Sequence, residues 1–255
     1  MVYDIPTRIF HWLFAFLFVF SIVVTKTFDN ESGIFLYHML AGLTLSLLVI
    51  LRIAWGIVGS HHAKFQNFSL NPKSVFNYMV GIFKGDKTHW SGHNPASSWA
   101  ALIMMAVALG LGLTGYLMTT TLNKEDFEDI HELLANGFLV VAIVHVAGVL
   151  THTLRYQEMI GFSMIHGRKK NVPVNESIND THPGVGLALL VILGLWGWNL
   201  ARGFDPTTKT LQLFSETLHL GEAEESDKTT PPAEQPSQPQ SQNHVHNHNH
   251  NHKHH

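Results

Sequence analysis

Apolar residues run in long blocks along the first two hundred positions, while polar residues fill the gaps and dominate the last fifty. Five blocks are long enough to cross a ~30 Å hydrocarbon core as helices. They run from about Ile9 to Thr25, Phe35 to Val58, Trp99 to Met118, Ile130 to Leu154 and Pro183 to Ala201. Trp12, Trp55, Trp90, Trp99, Trp196 and Trp198 lie near the ends of these blocks. An indole there has lipid on one side and water on the other. Asp4 and Pro6 precede the first block and no small-residue cleavage site follows it, so the first helix is expected to remain as an anchor. The pattern predicts an all-α integral membrane protein.

Charge orients the spans. The amino terminus, the loop 59–98 and the loop 155–182 share one side. With Arg52 they hold Arg8, Lys64, Lys73, Lys84, Lys87, Arg155, Arg168, Lys169 and Lys170. The two opposite loops carry Lys26 and Lys124, and the second is acidic from Glu125 to Asp129. The positive-inside rule then places the amino terminus in the cytoplasm and, after five spans, the carboxyl tail in the periplasm of a bacterial inner membrane. Arg52, near the end of the second block, is expected to snorkel to the interface. A formal net charge of −3 leaves no basic footprint for nucleic acid.

Histidine supplies the candidate chemistry. His11, His38, His131 and His145 sit within or at the edge of apolar blocks, where an imidazole needs a partner. His131 and His145 are fourteen residues apart. On one helix they fall on nearly the same face, about 21 Å apart along the axis. That is too far to share one metal and suits two planar cofactors stacked across a bilayer. The chain has no cysteine, which excludes thioether-attached c-type haem, thiolate iron–sulfur clusters and disulfides. The cofactor implied is haem b, held by imidazoles from facing helices. Equal depth pairs His38 with His131 for an outer haem and His11 with His145 for an inner one. On depth alone His152, seven residues beyond His145, also fits opposite His11. The plainer alternative for each histidine is a polar residue bonded to a neighbouring helix.

Several motifs occur together and in order. They are Tyr3-Asp4-Ile5-Pro6-Thr7-Arg8-Ile9-Phe10-His11-Trp12, Tyr37-His38-Met39-Leu40-Ala41-Gly42, and Leu51-Arg52-Ile53-Ala54-Trp55-Gly56-Ile57-Val58-Gly59 followed by Ala63-Lys64-Phe65. Gly92-His93-Asn94-Pro95, Thr114-Gly115, His131-Glu132-Leu133-Leu134-Ala135-Asn136, Val144-His145-Val146-Ala147-Gly148 and Met164-Ile165-His166-Gly167-Arg168-Lys169 follow. Over residues 3–170 the chain resembles the bacterial cytochrome b561 family, which includes the b-type cytochrome subunits of nickel–iron hydrogenases. The resemblance implies a four-helix bundle with two b haems that passes electrons between membrane quinone and a partner. It also implies haem ligation at His11 and His38, and favours His145 over His152. The partner differs among relatives: a hydrogenase, a soluble c-type cytochrome, or a small oxidant such as superoxide.

The expected organisation is a dihaem transmembrane bundle over residues 1–170, a linker and fifth transmembrane helix over 171–205, and a disordered polar tail over 206–255. Arg8, Arg52 and Lys64 are candidates to pair with inner-haem propionates, or serve only topology. Gly42, Gly115, Gly137 and Gly148 mark close approach, to haem or to another helix. His93 is expected to organise the start of the third span. His61, His62, His89 and His166 read as interface polarity. The tail ends in His244, His246, His248, His250, His252, His254 and His255, a tract that binds divalent metals loosely because nothing fixes its geometry.

The functional expectation is an electron-transfer cytochrome between the quinone pool and a periplasmic c-type cytochrome, standing alone or as part of an oxidoreductase. The alternatives are a hydrogenase anchor subunit, a superoxide:quinone oxidoreductase, and a metal-ion transporter using the histidines. The transporter reading predicts acidic groups at mid-membrane, and no Asp or Glu lies deep in any block.

Overall fold

The structure is a computed structural model, and it describes residues 1–30, 32–84, 94–120, 124–156, 160–169 and 177–220. His89, Trp90, His93, Lys87, Lys170 and the histidine tract from His244 to His255 lie outside the described residues.

Seven α-helices are described: α1 (Ile5–Thr27), α2 (Phe35–Val58), α3 (Pro72–Lys84), α4 (Pro95–Thr120), α5 (Lys124–Tyr156), α6 (Ser163–His166) and α7 (Pro183–Gly203). Five of them, α1, α2, α4, α5 and α7, have the length and apolarity to cross a membrane. Large apolar side chains such as Phe16, Val23, Ile143, Leu187 and Leu195 point outward, which is stable only in hydrocarbon. The protein is a multi-pass membrane protein. α1 packs on α2, α2 on α4 and α4 on α5, while α7 lies against α1 and α2.

Local chemistry sets the helix starts. Pro6 occupies the first turn of α1, where its missing N–H costs nothing. Asp4 caps the same turn by accepting from Thr7 N at 2.8 Å. The Asp4 carboxylate is fully buried and also accepts from Trp55 Nε1 at 3.0 Å and from the Ser60 hydroxyl. One side chain thus fastens the start of α1 to the end of α2. Asn94 caps α4 by accepting from Ser97 N at 2.8 Å, as expected for Asn before Pro. Gly186 of α7 packs so tightly on α1 that an added Cβ would lie 2.6 Å from Ile5 Cγ2.

Three features depart from the sequence expectations. The acidic stretch 125–129 belongs to the first turns of α5 rather than to a loop. The Asp126 carboxylate there complements the positive helix end. Residues 204–220, assigned mainly to the disordered tail, instead form an antiparallel sheet: β1 (Phe204–Asp205), β2 (Thr210–Leu213) and β3 (Glu216–His219), in the order β1-β2-β3. Leu211, Leu218 and Leu220 bury against Leu36 of α2 and Leu200 of α7. Arg52 does not snorkel. It is 5% exposed and donates from Nη2 to the Ala63 carbonyl at 3.1 Å.

Candidate functional site

The main buried cluster joins Leu45 and Val49 of α2, Met105 and Ala108 of α4, and Phe138 of α5. Phe138 stands seven residues from His131 and seven from His145, on their face of α5. Phe14 and Phe18 of α1 pack on Phe138, and the histidines flank this aromatic layer.

On one side of the layer, the rings of His38 (α2) and His131 (α5) have centroids 6.2 Å apart and planes at 78°. A metal–imidazole bond of about 2.0 Å on each side places two trans ring centroids roughly 6 Å apart. The spacing fits one metal between them. The rings are oriented from behind. His38 Nδ1 lies 3.3 Å from the Ser21 carbonyl of α1, which can only accept, so Nδ1 carries the proton. His131 Nδ1 lies 2.9 Å from Thr114 Oγ1 of α4, whose hydroxyl is committed as a donor to the Gly110 carbonyl at 2.9 Å. Both Nδ1 atoms then donate, and each Nε2 keeps the lone pair a metal needs.

Around this pair lies an apolar cavity of about 100 Å³ lined by Met39, Gly42, Leu111, Gly115, Leu218 and other residues of α2, α4 and α5. Gly42 faces open space where a Cβ would meet nothing, and a Cβ on Gly115 would sit 3.6 Å from His131. These glycines leave room for a flat ring beside the imidazoles. Leu218 and Leu220 cap the cavity from the sheet. The sequence contains the signal for this cap: Thr210-Leu211-Gln212-Leu213 and Thr217-Leu218-His219-Leu220 alternate polar and apolar with period two.

On the other side of the layer, His11 (α1) and His145 (α5) are electrostatic neighbours. His11 Nδ1 is buried with no hydrogen-bond partner among the described residues. Gly148 also faces open space. Arg8 donates from Nη2 to the Ile165 carbonyl, and its buried Nε has no partner among the described residues. It retains a donor for a carboxylate. His152 lies on the same helix face, one step beyond His145. Among the described residues no three His, Cys, Asp or Glu side chains gather closely enough to hold a metal ion between them.

Comparison with known proteins gives a consistent family. The family model described as prokaryotic cytochrome b561 matches residues 2–167. The chain belongs to the prokaryotic cytochrome b561 family. It is therefore a membrane b-type cytochrome, built for electron transport with haem. Its similar proteins include the probable Ni/Fe-hydrogenase B-type cytochrome subunit of Rhizobium leguminosarum bv. viciae, 25% identical, with 66% of this chain and 87% of that protein covered. Another is the probable Ni/Fe-hydrogenase B-type cytochrome subunit of Bradyrhizobium diazoefficiens, 24% identical, with 66% of this chain and 85% of that protein covered. No solved structure matches. α7 and the sheet of this cytochrome lie beyond the family match.

Proposed function

We propose that this cytochrome carries electrons across the membrane between the quinone pool and a redox protein at the opposite face. Two b haems form the path, one on His38 and His131 and the other on His11 and His145. The observation that carries the reading is the 6.2 Å spacing of two imidazoles whose Nδ1 atoms are both engaged behind the ring. Haem b held by these histidines would supply one-electron chemistry. The chain's own residues do the rest. Thr114 and the Ser21 carbonyl hold the imidazoles in the metal-binding tautomer. Gly42 and Gly115 leave room for the ring. The apolar helices and the Leu218 cap keep water away.

Arg8 lies in the first turn of α1, Lys64 follows α2, Lys73 and Lys84 belong to α3, Arg155 is near the end of α5, and Arg168 and Lys169 follow α6. This charge bias supports a cytoplasmic His11 end and a periplasmic His38 end. The names of the relatives favour a hydrogenase as the redox partner over a c-type cytochrome. The orienting loops and the inner membrane belong to the same proposal.

Anaerobic reduction of the detergent-solubilised cytochrome tests this. Ubiquinol-1 should raise the reduced b-type α band of both haems. Hydrogen with a nickel–iron hydrogenase should do the same with no quinol added, and reduced cytochrome c in its place reads the c-type alternative. A protein that accepts electrons from none of the three refutes the proposal.

A further inference from the structure

With 13 residues α3 is too short to cross a membrane, yet it carries large apolar side chains on its surface. Phe76 is 68% exposed and Met79 44% exposed. At about 100° per residue the helix divides into three stripes. Ser74, Val75 and Tyr78 share the half-buried side, which packs on α4. Phe76 and Met79, three residues apart, form the next stripe. Lys73, Asn77 and Lys84, at spacings of four and seven, form the third, and all three are exposed. α3 contains no Asp or Glu, so its side-chain charge is all positive.

One hydrogen bond sets the depth of the helix. Asn94 Nδ2 donates to the Tyr78 hydroxyl at 3.0 Å, and Asn94 is the cap of α4. The middle of α3 is therefore level with the first turn of a membrane-spanning helix. Trp99, about one turn further into α4, marks the same boundary, where an indole meets lipid and water together. Phe76 and Met79 stand within one turn of Tyr78, so the exposed apolar stripe lies at that boundary. A helix in water would bury such a stripe or lack it.

The stripes select the occupant. Phe76 and Met79 call for hydrocarbon, and the lysines beside them call for anions. The surface of a bilayer offers both at one depth. A second copy of α3 would set lysines against lysines, which repel.

We propose that α3 lies along the membrane surface, with Phe76 and Met79 in the acyl boundary and Lys73 and Lys84 on the headgroups of anionic phospholipids. This surface continues the lipid-facing wall of the bundle and is independent of the electron-carrier reading.

The chain has no cysteine, so a single introduced cysteine reports one position. Phe76→Cys, Met79→Cys and Asn77→Cys are spin-labelled in the full haem-loaded protein, with the Soret band confirming haem content. Each is placed in nanodiscs of phosphatidylcholine with or without phosphatidylglycerol. The ratio of oxygen to nickel-chelate accessibility should be about threefold or more higher at positions 76 and 79 than at 77. Phosphatidylglycerol should raise the ratio further at position 76. Lys73→Gln with Lys84→Gln should abolish that further rise and leave the apolar contact in place. Equal ratios at the three positions put α3 in water and overturn the proposal. Low accessibility to both agents at position 76 puts protein over the stripe and overturns it as well. A ratio at position 76 that ignores phosphatidylglycerol overturns the headgroup contact.

Discussion

The ring of Phe138 on α5 packs against that of Phe18 on α1 with centroids 4.2 Å apart and planes at 42°. Phe14 joins them with its centroid 5.8 Å from that of Phe138. This aromatic layer sits midway between the His131 and His145 levels. It bridges α1 and α5 and fills the space between the two histidine levels.

Phe138→Ala removes the centre of that layer. The side chain is 1% exposed, so the cavity has little means of collapsing. The cost is on the order of 3 kcal/mol, and Phe138→Leu should recover most of it. Thermal unfolding of the two variants in one detergent checks this.

Thr114 acts on the site through His131. Thr114→Val keeps the shape and removes the hydroxyl that accepts from Nδ1. Outer-layer ligands hold imidazole orientation, and their loss typically weakens metal affinity by about 10–100-fold. Haem at the His38–His131 level should be released more easily to apomyoglobin in Thr114→Val, while Thr114→Ser should behave like the wild type. The haem at the other level serves as the internal control.

Asp4→Ala strips three donors of their acceptor at once: Thr7 N, Trp55 Nε1 and the Ser60 hydroxyl. The lost cap is worth about 1 kcal/mol, and each buried donor left unpaired adds roughly 1–3 kcal/mol. Unfolding should move to clearly lower temperature. Asp4→Asn, which keeps one carbonyl acceptor, should fall between.

The five spans were legible because each keeps apolar character for its full length, and a bilayer imposes that requirement on composition alone. The nearness of the His38 and His131 rings was legible because span order and helical rise convert sequence position into depth. The sheet was not recognised. Each strand has no more than four residues and a single apolar face, and Asp205-Pro206 and the threonines around it resemble the start of a polar tail. Asp205 in fact closes an Asx turn by accepting from Thr207 N at 2.8 Å, which holds its carboxyl below the usual range. The burial of Arg52 could not be read either. Its place at the end of a span suits snorkelling, and only the fold of residues 60–68 over it, with Phe65 against its plane, encloses it.

Leu218 is buried at 1% exposure and lines the His38–His131 cavity from outside the family match. Leu218→Asp should admit water to that level. Solvation favours the charged ferric state, so the potential of that haem should fall while the other stays fixed. A redox titration that resolves the two haems checks both halves of the statement.

The central claim is that four histidines hold two haems in two fixed pairs. Haem-to-protein stoichiometry across single and double His→Ala variants measures it directly. Wild type should carry two haems. His38→Ala, His131→Ala and the double variant should all lack the same one, and His11→Ala, His145→Ala and their double should all lack the other. His38→Ala combined with His11→Ala should be colourless. Retention of both haems in His145→Ala with loss of one in His152→Ala would contradict the inner pair, and a wild-type protein with fewer than two haems would contradict the whole arrangement.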